Sequence, residues 1–417
     1  MAVAQAIDAI RALSGCSDFG GAIDTVESLR LASAGRRLVY LCPMQQAGMA
    51  FLVDGENGEL EVTAIPLLAF DATSVQDAAD RLIAAAEQRG SGKPDNWQAW
   101  REALGGVIAW QRQSLAPLLQ ALRTGEAKAR EIALIPIGAA ALLPPLCALE
   151  PEADELFAEA TVAPSARLLA RRRQAGPPAD MAAANQLFIA DHDIFYAEPA
   201  GRMLAKTLGG GDVLLGKSVD KTALLEMLDA RRQALIFAHG RPDLSDPKRS
   251  ALLLDGTNEA HRFSVWDILS TRLHSEADLI ILACCSLALP GQRAPIEMVS
   301  LPAALLHAGA GKVVAALWDV DIHATILLME RFHEALARGL SAPKALATAQ
   351  AWMRSVPAEE KRAHFETLMG PAQADTSSIR SLSRVLSLGR RRESPTKLDG
   401  FDDFHHPSHW AGFVVFG

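Results

Sequence analysis

The sequence predicts an α/β fold in which a mostly parallel sheet is covered by helices on both faces. Near-continuous runs of Val, Ile and Leu, such as those at 234–240, 277–285 and 311–320, are typical of strands buried on both faces. Amphipathic helical segments separate these runs, as they do in βαβ units. With 417 residues the chain is too long for one ordinary core, so its length predicts two or three domains or one unusually large α/β domain. A predicted linker divides it into two halves.

The first half is predicted to span 37–174, after a lead-in helix and loop at 1–36. Its predicted elements are, in order, a strand at 37–43, a hairpin at 49–67, a helix at 74–90, a long helix at 96–125, a strand at 131–138, and a strand leading into a helix at 160–174. We expect Ser74 to be the N-cap of its helix. We expect an interruption of the long helix near Gly105, Gly106 and Pro117.

A linker at 175–184, rich in Gly, Pro and Ala, is the predicted boundary before the second half at 185–417. The predicted strands of the second half lie at 185–191, 211–216, 234–240, 277–285, 311–320 and 409–417, and its helices at 197–210, 220–233, 323–338 and 342–356. Residues 371–400 are rich in Ser, Arg and Pro, which predicts a mobile surface insertion.

Composition and charge exclude several classes of protein. The net charge of −8 and the pI near 5.8 give no reason to expect nucleic acid as the main partner. The longest apolar stretch, 137–149, is too short to cross a membrane and is broken by Pro144 and Pro145. The N-terminus lacks the pattern of a signal peptide, so we expect a soluble, cytoplasmic protein.

The five cysteines show no spacing typical of a disulfide framework, and no CxxC or HxxxH motif is present. We therefore expect a reducing compartment, no metal and no cofactor. The adjacent pair Cys284 and Cys285 leaves three interpretations open on residue type alone. One of them is a nucleophile, both are metal ligands, or both are small core residues.

Parallel strands carry functional residues at their carboxyl ends, and two such ends hold reactive groups here. His239 ends one predicted strand, and the cysteine pair ends the next. A thiol with an ordinary pKa near 8.5 is mostly protonated at neutral pH, so a neighbouring imidazole is needed to favour the thiolate. The backbone N–H groups of Gly240 and Cys284 are the predicted oxyanion hole.

Five segments of the second half are distinctive in their order along the chain: 234–256, 277–286, 309–325, 349–353 and 406–417, with "IALIPIGAAALLPPLCAL" and "VAPSARLL" upstream. Together they resemble a CHAT domain, a caspase-like cysteine peptidase domain related to separase. The histidine lies 45 residues before Cys284, and caspases have the same order and a similar spacing. The resemblance covers the chain from about residue 37. It implies an inactive, pseudo-caspase-like first half that supports an active, caspase-like second half.

The family's cysteine motif reads Ser-Ala-Cys, then any residue, then Thr or Ser. Matching it to Ala283 and Ser286 places the nucleophile at Cys284 and leaves Cys285 at the free position, with Leu282 replacing the usual serine. His239 matches the family's His-Gly motif and is the implied general acid and base. Alternation along a strand puts the two cysteines on opposite faces, and the motif alone chooses between them.

The loop that follows "ALW" at 316–318 is predicted to bind the substrate. Asp319 and Asp321 are candidates for an acidic pocket that takes Arg or Lys at P1, with Trp318 as a pocket wall or a packed core residue. In separases an acidic residue binds P1 arginine, but that position falls on Ile322 here. Three histidines and two aspartates at 402–410 have no standard metal spacing, and we expect no metal there.

The sequence therefore predicts a cysteine endopeptidase that hydrolyses peptide bonds of protein substrates through a Cys-His dyad and a thioester. The alternatives are a catalytically inactive CHAT-like module that binds proteins, and a non-proteolytic thiol enzyme such as an amidohydrolase. We expect regulation by a protein partner or by a helical-repeat region upstream. Arginines in the insertion at 371–400 are a candidate site of autolysis.

Overall fold

The fold was analysed in a computed structural model of the 417-residue chain. The structure describes residues 25–56, 59–89, 94–124, 131–144, 146–147, 159–174, 186–194, 196–207, 210–256, 258–270, 277–291, 298–373 and 404–417. The predicted linker at 175–184 and all but the first three residues of the predicted insertion at 371–400 lie outside this part of the chain.

Fourteen strands are found in the described residues. They are β1 (Arg36–Cys42), β2 (Gly48–Glu56), β3 (Glu59–Leu67), β4 (Glu131–Pro136), β5 (Ala160–Val162), β6 (Gln186–Ala190), β7 (Asp212–Leu215), β8 (Gln233–Phe237), β9 (His239–Arg241), β10 (Ala251–Leu253), β11 (Arg262–Ser264), β12 (Leu279–Ala283), β13 (Lys312–Ala316) and β14 (Phe413–Phe416).

Twelve α-helices accompany them in the same part of the chain. They are α1 (Val26–Ser33), α2 (Ala72–Arg89), α3 (Pro94–Ser114), α4 (Ala116–Thr124), α5 (Ala166–Gln174), α6 (Ala197–Thr207), α7 (Lys221–Ala230), α8 (Val265–Ser270), α9 (Leu301–His307), α10 (Ile322–Ala337), α11 (Ala342–Ser355) and α12 (Ala358–Gln373).

Eleven of these strands form one sheet in the order β3-β2-β1-β4-β5-β14-β13-β12-β8-β6-β7. Seven of the ten neighbouring pairs are parallel, and the antiparallel ones are β1–β2, β2–β3 and β13–β14. The predicted α/β fold with a mostly parallel sheet is therefore confirmed. The remaining strands form a small antiparallel sheet in the order β11-β10-β9.

Both faces of the sheet are buried. In β1, Leu38 packs with residues of α1 and α5, whereas Val39 and Leu41 pack into the core on the other face, which α2, α3 and α4 cover. All five residues of β12 and all five of β8 are buried. This double burial explains the unbroken apolar runs of the sequence.

The last strand, β14, joins the two halves of the sheet. It pairs antiparallel with β13 and parallel with β5, where Phe416 is opposite Val162 and the Gly417 N–H donates to the Val162 carbonyl at 3.1 Å. A second link between the halves is the edge contact of the buried Trp100 and Trp318 rings, whose centroids are 5.9 Å apart. The halves therefore share one continuous hydrophobic core.

One local prediction in the first half was wrong, and another was right only in part. Helix α2 begins at Ala72, and Asp71 caps it by accepting hydrogen bonds from the Thr73 and Ser74 N–H groups, so Ser74 is not the N-cap. Gly105 and Gly106 lie inside α3 without interrupting it, and the break falls at Leu115, between α3 and α4. That position is close to Pro117, whose ring is tolerated only in the first turn of a helix.

Candidate active site

The carboxyl ends of four adjacent strands, β13, β12, β8 and β6, meet at one edge of the sheet. Asp319 follows β13, the two cysteines follow β12, His239 follows β8, and Asp191 follows β6. Because functional groups of parallel sheets gather at this edge, the predicted location of the site agrees with the strand order.

His239 is placed differently from its prediction in one respect. Strand β8 ends at Phe237, and His239 begins β9 of the small sheet, where it is opposite Leu253. The side chain is half-buried. The small sheet therefore holds the backbone of the His-Gly pair, directly after the end of β8 in the large sheet.

Gly240 is in close contact with the cysteine segment. A Cβ atom at this position would lie 1.9 Å from the Cys285 carbonyl oxygen and 3.0 Å from the Leu287 side chain. Only glycine allows two backbones to approach so closely. The His-Gly pair and the cysteine pair, which are 45 residues apart in the sequence, are thus neighbours in space.

Cys284 is buried beneath this edge. Its side chain is 1% exposed, and the Sγ–H group donates to the Ile236 carbonyl at 3.4 Å. Burial raises the pKa of the Cys284 thiol far above its ordinary value, and this outweighs the lowering by the Ala238 N–H group. A buried, neutral thiol that donates to a core carbonyl is typical of a structural cysteine.

Cys285 is the more exposed residue of the pair and is half-buried. Burial raises its pKa to about 11, with a further increase from the Asp319 carboxylate; the Val320 N–H group and the Arg89 charge act in the opposite direction. Strand β12 ends at Ala283, so neither cysteine belongs to the strand and the alternation argument does not apply to them. Cys284 as the nucleophile therefore stays a prediction of the motif, and the structure adds that Cys285 is the more exposed residue of the pair.

The residue after the pair has an unusual backbone. Ser286 has a φ of 56°, in the left-handed region that non-glycine residues rarely adopt. Its N–H group donates to the Trp318 carbonyl at 3.4 Å, and its hydroxyl donates to Asp319 Oδ1 at 2.7 Å. Strained residues of this kind cluster at functional sites, and here the strain turns the chain sharply after Cys285.

The three predicted substrate-binding residues occupy different environments. Asp319 is exposed beside Cys285. Asp321 is instead the N-cap of α10, where its side chain accepts from the His323 and Ala324 N–H groups at 2.8 and 3.0 Å. Burial disfavours its charged form, but the hydrogen bond and charge of His323 outweigh this and hold the Asp321 pKa below its ordinary value.

Trp318 is a packed core residue. It is 4% exposed, and its indole Nε1–H donates to the Ser408 carbonyl at 2.8 Å. Of its two predicted roles, packing agrees with these contacts, and an open pocket wall does not.

Asp191 was not predicted from the sequence. It is fully buried, and its carboxylate accepts from the Asp193 N–H group at 2.9 Å and the Gly256 N–H group at 3.3 Å. Burial raises its pKa, while the charge of His239 acts to lower it. The signal was present in the sequence, since an aspartate ends the apolar run of β6 at the same edge as His239.

No group of three or more metal-ligating side chains is found within the described residues. In the predicted metal-like stretch at 402–410, His405 hydrogen-bonds to the Arg354 carbonyl and His406 to the Ser408 hydroxyl. Among the helices of the described ranges, none is both long and apolar enough to cross a membrane.

Comparison with known proteins identifies the family. The model of the CHAT domain matches residues 109–417, about three quarters of the chain and a shorter span than the resemblance from residue 37 suggested. A search of curated protein sequences finds no match.

Two crystal structures of the Saccharomyces cerevisiae separase–securin complex resemble the fold, with TM-scores of 0.54 and 0.56 and identities of 11% and 10%. Each match covers 78% of this chain but only 30% and 29% of the separase chain. Gingipain R, an Arg-specific cysteine proteinase, matches with a TM-score of 0.43 and 9% identity over 76% of this chain and 67% of its own, too distant to support an argument. From the extent of the family match, this chain belongs to the CHAT domain family.

Proposed function

We propose that the protein is a cysteine endopeptidase in which Cys285 is the nucleophile and His239 is the general acid and base. The observation that carries the proposal is the close approach of Gly240 to the Cys285 carbonyl, since it brings the His-Gly pair against the backbone of Cys285, which is the more exposed residue of the cysteine pair. The choice of Cys285 departs from the motif-based prediction of Cys284, because Cys284 is only 1% exposed.

The reaction proceeds through a thioester. His239 takes the thiol proton of Cys285 as the sulfur attacks the peptide carbonyl, because a thiol with a pKa of about 11 is neutral at pH 7. The carbonyl oxygen becomes an oxyanion that backbone N–H groups stabilise. His239 then protonates the leaving amine, and water hydrolyses the thioester in a second, equivalent cycle.

The oxyanion hole stays a prediction. The predicted donors were the N–H groups of Gly240 and Cys284. With Cys285 as the nucleophile, the equivalent pair is the Gly240 N–H and the N–H of Cys285 itself. Of the three residues predicted to bind substrate, Asp319 is the one that is exposed beside Cys285. Its carboxylate favours Arg or Lys at P1.

A peptide-library digestion analysed by mass spectrometry tests this proposal. We expect Cys285→Ala and His239→Ala to abolish cleavage, and Cys284→Ala to retain most of it, because its thiol lies in the core. Cys284→Ala is the matched control, since it removes the same atoms one residue away. Loss of activity in Cys284→Ala with full activity in Cys285→Ala would restore the original assignment.

A second candidate function is a catalytically inactive CHAT module that binds other proteins. The observation in its favour is that burial raises the pKa of both thiols, so neither is ionised at rest. The same digestion separates the two functions. An inactive module shows no cleavage in the wild type under any condition in which it is folded.

Regulation by a protein partner is part of the proposal. The separase of the similar structures is seen in a complex with securin. A partner that changes the surroundings of the Cys285 thiol would change its ionisation. Size-exclusion chromatography and digestion with and without candidate partners from the source organism test this step. Unchanged cleavage with every partner that binds would contradict it.

A further inference from the structure

Arg89, the last residue of α2 in the first half, lies beside the candidate site of the second half. Its Nη1–H group donates to the Asp319 carbonyl at 2.8 Å. On its other side, the guanidinium lies over the Trp97 ring, 3.9 Å from the ring centroid. Because both a hydrogen bond and a cation–π contact hold it, the guanidinium has a defined position.

The two residues that contact Arg89, Asp319 and Trp97, each make a further contact with a residue of the second half. The Asp319 carboxylate accepts the Ser286 hydroxyl at 2.7 Å, and Ser286 is the neighbour of Cys285 in the chain. Trp97 makes an edge contact with His409 of the second half, with ring centroids 5.9 Å apart. The positive charge of Arg89 is therefore fixed next to the turn that carries the thiol.

Two opposite charges act on the Cys285 thiol. The Asp319 carboxylate disfavours a thiolate beside it, and the Arg89 guanidinium favours one. The two charges come from different halves of the chain. Without the Arg89 charge from the first half, the effect of the Asp319 carboxylate on the Cys285 thiolate would not be opposed by a positive charge.

We propose that Arg89 is a part of the active site, in which the first half supplies the positive charge that stabilises the Cys285 thiolate. This inference rests on the proposed nucleophile. It gives the first half a chemical role, beyond the supporting one expected of an inactive half. Arg89 acts on the charge of the nucleophile and needs no contact with the substrate.

The test is the pH dependence of alkylation of Cys285 by iodoacetamide, measured by mass spectrometry in a Cys284→Ala background. For Arg89→Met we expect a higher apparent thiol pKa and about three- to tenfold slower alkylation at pH 7.5, since one pKa unit changes the thiolate fraction about tenfold. Arg89→Lys keeps the charge and is expected to restore most of the rate. Arg81→Met, an exposed change on the same helix, is the matched control and should have no effect.

Asp319→Asn separates an electrostatic role from a structural one. It retains the backbone carbonyl that accepts from Arg89 and an oxygen for Ser286, but it removes the negative charge. We expect faster alkylation, opposite in sign to Arg89→Met. A general loosening of the site would instead speed alkylation in both variants.

Two results would overturn the inference. They are an unchanged pH profile in Arg89→Met, and faster alkylation in both Arg89→Met and Asp319→Asn. Thermal unfolding of each variant verifies that the comparison is made on folded protein. Because alkylation needs no cleavage, an absence of peptidase activity contradicts the proposed function and leaves this test intact.

Discussion

At the scale of single residues, the site depends on which of two adjacent thiols is accessible. Cys284 and Cys285 are equivalent in type, and the family motif chose the first. Strand β12 ends at Ala283, just before the two cysteines, and the left-handed backbone of Ser286 turns the chain just after them. Cys284 is buried in the core, whereas Cys285 is half-buried.

Gly240 is the residue whose substitution tests this arrangement most directly. We expect Gly240→Ala to destabilise the fold by about 1–3 kcal/mol or more and to reduce cleavage, because its Cβ would lie 1.9 Å from the Cys285 carbonyl and must displace backbone. Urea unfolding and peptide cleavage are the measurements.

Gly105→Ala is the control for that substitution. Gly105 lies inside α3, and a Cβ placed there would meet no atom within 4 Å apart from its chain neighbours and the backbone of its own helix. Replacing a helical glycine by alanine is expected to stabilise the fold by up to about 1 kcal/mol. Equal effects of the two substitutions would show that the contact at Gly240 does not constrain the site.

At the scale of elements, helix α10 connects the site to the core. Its N-cap is Asp321, so the residue predicted to bind substrate instead fixes the start of a helix. An Asp that precedes a helix is a common N-cap, and that simpler role was available from the sequence. Asp319, two residues earlier, does not cap the helix, and its carboxylate instead accepts a hydrogen bond from Ser286, the residue after Cys285.

The buried His333 of α10 makes stability depend on pH. Burial lowers the pKa of His333 to about 4, and its Nδ1–H group donates to the Met329 carbonyl. The unfolded chain protonates this histidine near pH 6.5, whereas the folded chain does so only near pH 4. The unfolded state thus binds the proton first on acidification, and stability falls as the pH drops through this window.

The expected loss is about 3 kcal/mol between pH 7 and pH 4, for a shift of about 2.5 pKa units. In His333→Leu this part of the pH dependence should disappear, because no titrating group remains at that position. Urea unfolding at intervals of half a pH unit measures the difference. Parallel curves for the wild type and the variant would rule out the linkage.

At the scale of the whole molecule, the two halves share a sheet. Strand β14 is the last strand in the sequence but is central in the sheet, between β5 and β13. Gln350 of α11 holds the segment before it, since its side-chain amide donates to the Trp410 and Phe413 carbonyls at 3.0 Å each. Neither half can complete its sheet without this strand.

We therefore expect the protein to unfold in one cooperative transition, seen at the same urea concentration by circular dichroism and tryptophan fluorescence. Trp100→Ala removes the contact with Trp318 between the two halves. It should lower the free energy of unfolding by about 3–5 kcal/mol and leave a single transition. Val62→Ala, at an exposed position of β3, should change the free energy of unfolding by less than about 0.5 kcal/mol. Two separate transitions would mean that the halves are independent domains.

The sequence by itself determined the sheet, most of its strands, the caspase-like family and the edge at which His239 and the cysteine pair meet. These features depend on apolar periodicity and on short motifs, which are properties of neighbouring residues in the chain. Only the tertiary structure decided which cysteine is more exposed, which of its possible roles Asp321 takes, and that Arg89 lies beside the candidate site. Those outcomes depend on burial and on charges contributed by distant segments, and no local pattern encodes which segments will pack together.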